Sequence, residues 1–299
     1  MTSKCCKICA FIWTYNPAPR LLEEVVKTVS ENVDYVLIVD NGSKNPEVIE
    51  KYRSDKVNIL RLTQNLGVEA INVGLDILTT QNACKWILLL DDDSIIIQPN
   101  AVMEVLRRYE ELPEEVKQKI GVISISDLES IPLTLKRWLK HISSTNAFIV
   151  HHDAIIFSGA IIRTDVVIKH NLRVKKELFL DHADTEFFTR MRRFGYLTVL
   201  YTKPLLKHRL GIPLAKPIDL MFYKIKSTTQ PHRLYYITRN ATYLLRKGIT
   251  PVQWFLSIIR FAIPLILQSP KVTIKVIAIG FVHGILGKLG KWDIDMLKQ

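Results

Sequence analysis

Apolar residues in this chain come in two patterns that take turns. Short continuous runs are followed by stretches in which apolar positions recur every three or four residues. The run "KICAFIWTY" (7–15) is β-branched and aromatic and stops at "NPAP" (16–19), which predicts a buried strand. "RLLEEVVKTVSEN" (20–32) then spaces its apolar residues along one helical face, and "YVLIVDNGS" (35–43) is a second apolar strand that breaks at Asn41-Gly42. A strand over 56–63, a helix over 65–81, a strand over 85–90, a helix over 99–112 and a strand over 119–125 continue the alternation. Residues 127–150 lose the pattern and read as a loop; "AIIF" (154–157) reads as a further strand ahead of the turn "SGA" (158–160). Alternating strands and helices predict an α/β fold whose mostly parallel sheet is flanked by helices. In such sheets ligands bind beyond the carboxyl ends of the strands.

Polar residues collect at those ends. Thr14 and Asn16 follow the first strand, Asp40 and Asn41 the second, Asn65 the third, and Asp91, Asp92 and Asp93 the fourth. Three adjacent carboxylates repel one another and lose hydration near a core, so something must offset the cost. A hard divalent cation, Mg²⁺ or Mn²⁺, takes oxygen ligands and brings the missing charge. Magnesium commonly completes its shell with phosphate oxygens, which points to a diphosphate-bearing nucleotide ligand. A second acidic group stands in "LFLDHADTEFF" (178–188). If extended, it puts His182, Asp184 and Glu186 on one face; if helical, Asp181 and Asp184 share one. A carboxylate there can serve as a general base.

Composition adds less than charge distribution does. A hydrophobic fraction of 48% and a charged fraction of 23% exclude wholesale disorder. The net charge of +12 is uneven: residues 201–299 carry 16 Lys and Arg against 3 Asp and no Glu, and the first 200 carry 25 basic against 26 acidic residues. The basic third is also apolar, which favours an anionic membrane surface over nucleic acid. "VQWFLSIIRFAIPLIL" (252–267) is interrupted by Arg260 and Pro264, and "VTIKVIAIGFVHGILGKLGKW" (272–292) by Lys275, His283 and several glycines. Neither reaches about 20 uninterrupted apolar residues, so interfacial helices are expected rather than transmembrane ones, with two buried core helices as the alternative. The N-terminus has no secretory signal pattern, and Cys5, Cys6, Cys9 and Cys84 are expected as reduced thiols of a cytosolic protein.

The ordered set "WTYNP", "VLIVDNGS", "QNLGVEAINVGL", "WILLLDDDS", "FSGAIIR", "LFLDHADTEFFTRMRRFGY" and "LKHRLG" resembles family 2 glycosyltransferases of the GT-A fold, in their rhamnosyltransferase and galactofuranosyltransferase-like branch. The resemblance covers residues 8–211. It implies a GT-A catalytic domain over 1–211 and leaves 212–299 as a mainly helical, membrane-associating extension. It implies that Thr14, Asn16 and Asp40 line the nucleotide pocket, that Asn65 and Asn72 lie nearer the ribose and diphosphate, and that Asp91 lies near the ribose. It also implies Asp93 as metal ligand with His208 able to supply an imidazole, Asp184 as catalytic base and Glu186 as the residue that orients the acceptor. Asp92 receives no role.

The activity so implied is inverting transfer of a sugar from a UDP-, dTDP- or GDP-sugar to a hydroxyl of a glycan or lipid-linked acceptor, at the cytoplasmic membrane face. Two rivals stand beside it. The strand-plus-DDDS pattern is similar to the opening of haloacid-dehalogenase-type phosphatases, although those place it on their first strand. A non-catalytic sugar-nucleotide or membrane-binding module would keep the pocket without needing Asp184. "QPHRLYYITRN" (230–240) could grip a diphosphate through His232, Arg233 and Arg239, or begin a helix that packs its tyrosines inward.

Overall fold

A computed structural model describes residues 7–80, 84–125, 140–141, 147–151, 155–208, 211–220, 223–250 and 255–293. The chain divides into two compact units, one made of Met1–Val174 with Phe187–His208, the other of Lys175–Glu186 with Arg209–Gln299.

In the first unit, strands β1 (Ile8–Thr14), β2 (Tyr35–Asp40), β3 (Val57–Arg61), β4 (Trp86–Asp91), β6 (Ile120–Ser124), β7 (Lys140–His141), β8 (Phe148–Val150), β9 (Ala160–Arg163) and β10 (Leu197–Tyr201) form a sheet in the order β3-β2-β1-β4-β9-β6-β10-β8-β7. The pairs β1–β2, β1–β4, β2–β3 and β6–β10 are parallel, while β9 runs antiparallel to β4 and β6. Helices α1 (Pro19–Ser30), α2 (Glu47–Glu50), α3 (Glu69–Thr80), α4 (Ala101–Glu110), α5 (Glu114–Lys119) and α6 (Thr164–Lys169) connect the strands. Helix α1 buries Leu22, Val25, Val26 and Val29, the spacing of a single face, and the interior runs of β1 and β4 are buried.

Two expectations change, and a third lies mostly outside the described residues. The strand read at "AIIF" lies instead at Ala160–Arg163; both runs are apolar, and periodicity alone cannot choose between them. Most of the loop expected over 127–150 lies outside the described residues. Cys9 and Cys84 are not free thiols but a disulfide between β1 and the residue that leads into β4.

The second unit holds a 3₁₀ turn (Lys176–Leu178) and the first residues of α7 (Ala183–Arg193), whose remainder belongs to the first unit. It continues with the antiparallel hairpin β12 (Ile212–Leu220) and β13 (Tyr223–Thr228), then α8 (Pro231–Arg246), α9 (Phe255–Gln268) and α10 (Pro270–Leu286). Its core is built from Leu234, Tyr235, Tyr236, Ile237, Val276 and Trp292. No described helix is long and apolar enough to cross a membrane.

Candidate active site

Parallel pairing brings the polar strand ends of the first unit together. Thr14 lies beside Asp40 in the β1–β2 register, and Trp13 beside Asp91 in β1–β4. Asp40 is buried at 1% exposure; its Oδ1 accepts the Ser43 amide at 2.8 Å, while Oδ2 has no hydrogen-bond partner and lies 3.7 Å from Arg61 Nε. A buried acceptor without a donor is costly, and a ligand N–H would relieve it.

The loops beyond the strands are tied by short amide side chains. Asn16 holds a positive φ of 52°, donates its backbone N–H to Ser43 Oγ at 2.8 Å and accepts the Lys44 amide at 2.9 Å. Asn41 donates to Asn65 Oδ1 (3.2 Å) and to the Gly67 carbonyl (3.0 Å), and its own Oδ1 accepts the Leu66 amide. Asn65 also accepts the Gly67 amide at 2.8 Å. Asn72 Nδ2 donates to the Val174 carbonyl at 2.9 Å and its Oδ1 accepts the Val174 amide at 2.7 Å, so its amide clamps α3 to that backbone.

The aspartate triplet separates in space. Asp92 accepts a short hydrogen bond from the Thr14 hydroxyl, which makes Thr14 a buried strut and gives Asp92 its part. Burial pushes the Asp92 carboxyl up to about 6; the charges of Asp91 and Asp93 add to this, against the lowering effect of the Thr14 bond. Asp91 Oδ2 and Asp93 Oδ1 each lie 3.3 Å from His208 Nε2. What puts His208 there is a two-residue ladder between β5 (Ile95–Ile96) and β11 (Leu206–Lys207), in which Lys207 pairs with Ile95. Ser158, in the turn ahead of β9, accepts the Asp91 amide at 3.1 Å and meets Ser94 Oγ at 2.5 Å, bracing the acidic turn.

Two carboxylates and one imidazole therefore converge, with ligand atoms all within 4.8 Å of one another. Asp93 Oδ1 and His208 Nδ1 are buried without a hydrogen-bond partner. The donor set fits a divalent cation: oxygens for a hard ion, and an imidazole that tilts the choice toward Mn²⁺ over Mg²⁺. Burial disfavours the His208 imidazolium, but the two aspartates outweigh it and hold the ring up to about 9. A divalent cation there would need the neutral ring and would release its proton.

The second acidic group starts a helix, settling the two readings of 178–188. Asp184 lies in the first turn of α7, where its Oδ1 accepts the Thr185 amide at 2.7 Å, and a carboxylate there is favoured by the helix dipole. Glu186 is fully buried and ion-paired with Lys175 at 3.0 Å. The segment just before α7 is unusual, with positive φ at Phe179 (60°), Asp181 (31°) and His182 (62°). Asn240 of α8 donates to the carbonyls of Leu178 (3.0 Å), Leu180 (2.7 Å) and Asp181 (2.8 Å). Arg239, 1% exposed, donates to the carbonyls of Leu178 (2.8 Å) and Gly290 (2.6 Å) and stacks near the Tyr235 and Tyr236 rings. Arg239 is thus a buried backbone clamp rather than a diphosphate grip, and Arg233 pairs with Asp181 at 3.1 Å.

Comparison with known proteins agrees with this arrangement. Residues 9–170 match the family Glycosyl transferase family 2. The dTDP-rhamnosyl transferase RfbF of Shigella flexneri is 28% identical over 251 residues, covering 82% of each chain. An uncharacterized glycosyltransferase of Haemophilus influenzae is 35% identical over 96 residues, 32% of this chain and 31% of that one. Among solved structures, S. aureus TarS superposes with a TM-score of 0.51 at 14% identity over 80% of this chain. GalNAc-T7 with UDP, GalNAc and Mn²⁺ gives 0.53 at 13% identity over 84%. The chain spans 39% and 52% of those two, and the likeness establishes the GT-A fold. The DDDS motif sits on the fourth strand of such a sheet, not on the first strand of a dehalogenase-type phosphatase. By its matched sequence and its fold, the chain belongs to glycosyl transferase family 2.

Proposed function

We propose that this protein is a metal-dependent inverting glycosyltransferase that moves a sugar from a nucleotide diphosphate sugar to a hydroxyl of a glycan or lipid-linked acceptor. The observation that carries the reading is the convergence of Asp91, Asp93 and His208 at the carboxyl edge of the sheet, in a chain of this family. Rhamnose carried on dTDP is the first donor to test, because the relative from Shigella flexneri is named for it. Galactofuranose is the second.

Asp93 and His208 would hold the divalent cation with Asp91 beside them, and that cation would supply Lewis-acid stabilisation to the departing diphosphate. Asp40 receives the base through its unpartnered Oδ2, and Thr14, Asn16 and Asn65 shape the pocket around it. The acceptor oxygen forms its bond to the anomeric carbon as the bond from that carbon to the diphosphate oxygen breaks on the opposite face. Asp184 takes the hydroxyl proton, a contribution of about 10²–10⁴ in rate. No covalent enzyme intermediate is required. We assign catalysis to residues 1–211 and acceptor and membrane association to 212–299, at the cytoplasmic face.

The test is release of nucleoside diphosphate from a donor panel in the presence of Mn²⁺ and an acceptor extract, with the anomeric configuration of the product read by NMR. Turnover of one donor with inversion supports the reading. Retention of configuration, or hydrolysis of a phosphomonoester with no sugar transfer, overturns it.

A further inference from the structure

We infer that the outward face of α10 is a docking surface for an anionic lipid bilayer, on which the helix lies flat. This deepens the membrane assignment of 212–299 made above and does not depend on the transferase chemistry.

Helix α10 buries Thr273, Val276, Gly280 and Gly284, a stripe at three- and four-residue spacing. The stripe must be small: a Cβ added at Gly280 meets the Tyr235 carbonyl oxygen at 2.9 Å, and one at Gly284 meets that of Arg239 at 2.6 Å. The opposite face is where a water-facing helix carries its charges. Here it exposes Ile274 (60%), Phe281 (44%), Val282 (50%), Ile285 (44%) and Leu286 (60%). Large apolar side chains side by side on an exposed face mark an interaction surface.

Charge decides what covers it. Exposed Lys271 and Lys275 stand at the start of the helix and exposed Lys288 and Lys291 just past its end, so the apolar face is bracketed by ammonium groups. Residues 221–292 hold eleven Lys and Arg and neither Asp nor Glu. A second copy laid on this face would bring lysines together with no carboxylate from that stretch to meet them. An anionic headgroup layer supplies the missing charge, while its acyl boundary takes the apolar residues. The helix does not span, since one side is committed to α8 and no described helix is long enough. It sinks roughly 5–10 Å into the interface, with the lysine stems reaching back to headgroup level.

The experiment is co-sedimentation of the full chain with vesicles of phosphatidylglycerol and phosphatidylcholine in equal parts, and with phosphatidylcholine alone. The wild type is expected to bind the anionic vesicles and to be released by salt. Lys271→Gln with Lys275→Gln is expected to weaken binding roughly 25-fold, at about a fivefold loss per lysine. Ile274→Ser with Phe281→Ser and Leu286→Ser weakens it at least as much, and circular dichroism confirms that both variants fold. Equal binding by wild type and both variants overturns the inference. So does a dimer in size exclusion that the triple substitution dissociates, because a second copy would then cover the face. Donor-induced thermal stabilisation, measured on the same samples, keeps the two claims apart: it is unchanged by these substitutions, and its absence from the wild type counts against the transferase reading alone.

Discussion

At the end of β4, Asp92 accepts the Thr14 hydroxyl while Asp91 and Asp93 share the His208 imidazole, although all three are one residue type in one turn. Residue type and strand-end position marked Asp91, Asp93 and Asp40 in the sequence, because a carboxylate after an apolar strand is hard to explain without a ligand; His208 and Asn72 came from the resemblance. In the structure Asn72 clamps the Val174 backbone and Glu186 pairs with Lys175. A polar residue that clamps a backbone or closes a buried ion pair looks the same in sequence as one that meets a ligand. Asn41, which braces the site, was among the polar strand-end residues, while Ser158 carries no signal beyond lying in a turn. Asp184 is the residue proposed as the base. Asp184→Asn is expected to lower kcat by about 10²–10⁴ with donor affinity unchanged, read by steady-state kinetics beside donor titration. Full activity in that variant removes Asp184 as the base.

Among elements, α8 matters most for the loop that leads to Asp184. Its Asn240 donates to three carbonyls of a segment with three positive-φ residues, so Asn240→Ala removes the Leu180 and Asp181 carbonyls' donor in a half-buried place, while Leu178 keeps Arg239. A loss of about 1–3 kcal/mol in stability is expected from urea unfolding. If the segment positions Asp184, kcat falls while donor affinity holds; a purely structural role lowers stability alone. Helix α4 is tied to the β10 edge by Glu104, which accepts from Tyr201 Oη (2.8 Å) and Lys203 Nζ (2.9 Å). The bond from Lys203, then that from Tyr201, holds the Glu104 carboxyl below its ordinary value, and burial with Glu104 beside it pushes Tyr201 up to about 12. A lowered carboxyl stabilises the fold above the unfolded-state value and loses that contribution as pH falls through the folded one. Glu104→Gln should therefore flatten the acid limb of stability below about pH 4.5 in urea melts; an unchanged limb contradicts it. Strands β1, β2, β4 and β6 were plain in the sequence because each is a buried apolar run. The β5–β11 ladder was not, since two-residue strands have no period. The β12–β13 hairpin was hidden by prolines at 213 and 217.

At the scale of the molecule, the disulfide bears on where the protein works. Cys9 and Cys84 are 75 residues apart in sequence and both buried, at 0% and 3% exposure, so a reductant has no ready access even at a cytoplasmic face. Alkylation of the native, unreduced protein followed by mass spectrometry is expected to leave both unmodified and linked, with about 2–4 kcal/mol of stability lost on Cys9→Ser. Alkylation of both without prior reduction contradicts the bond. The wider account rests on one claim, that Asp93 with Asp91 and His208 holds a cation through which a sugar nucleotide binds. The most direct test is thermal shift of the full chain against dTDP-rhamnose and other sugar nucleotides, with and without Mn²⁺, for the wild type and Asp93→Asn. The account predicts stabilisation by one donor only when Mn²⁺ is present, growing with the logarithm of ligand excess, and its loss in Asp93→Asn. The same stabilisation without Mn²⁺, or undiminished in Asp93→Asn, would contradict it.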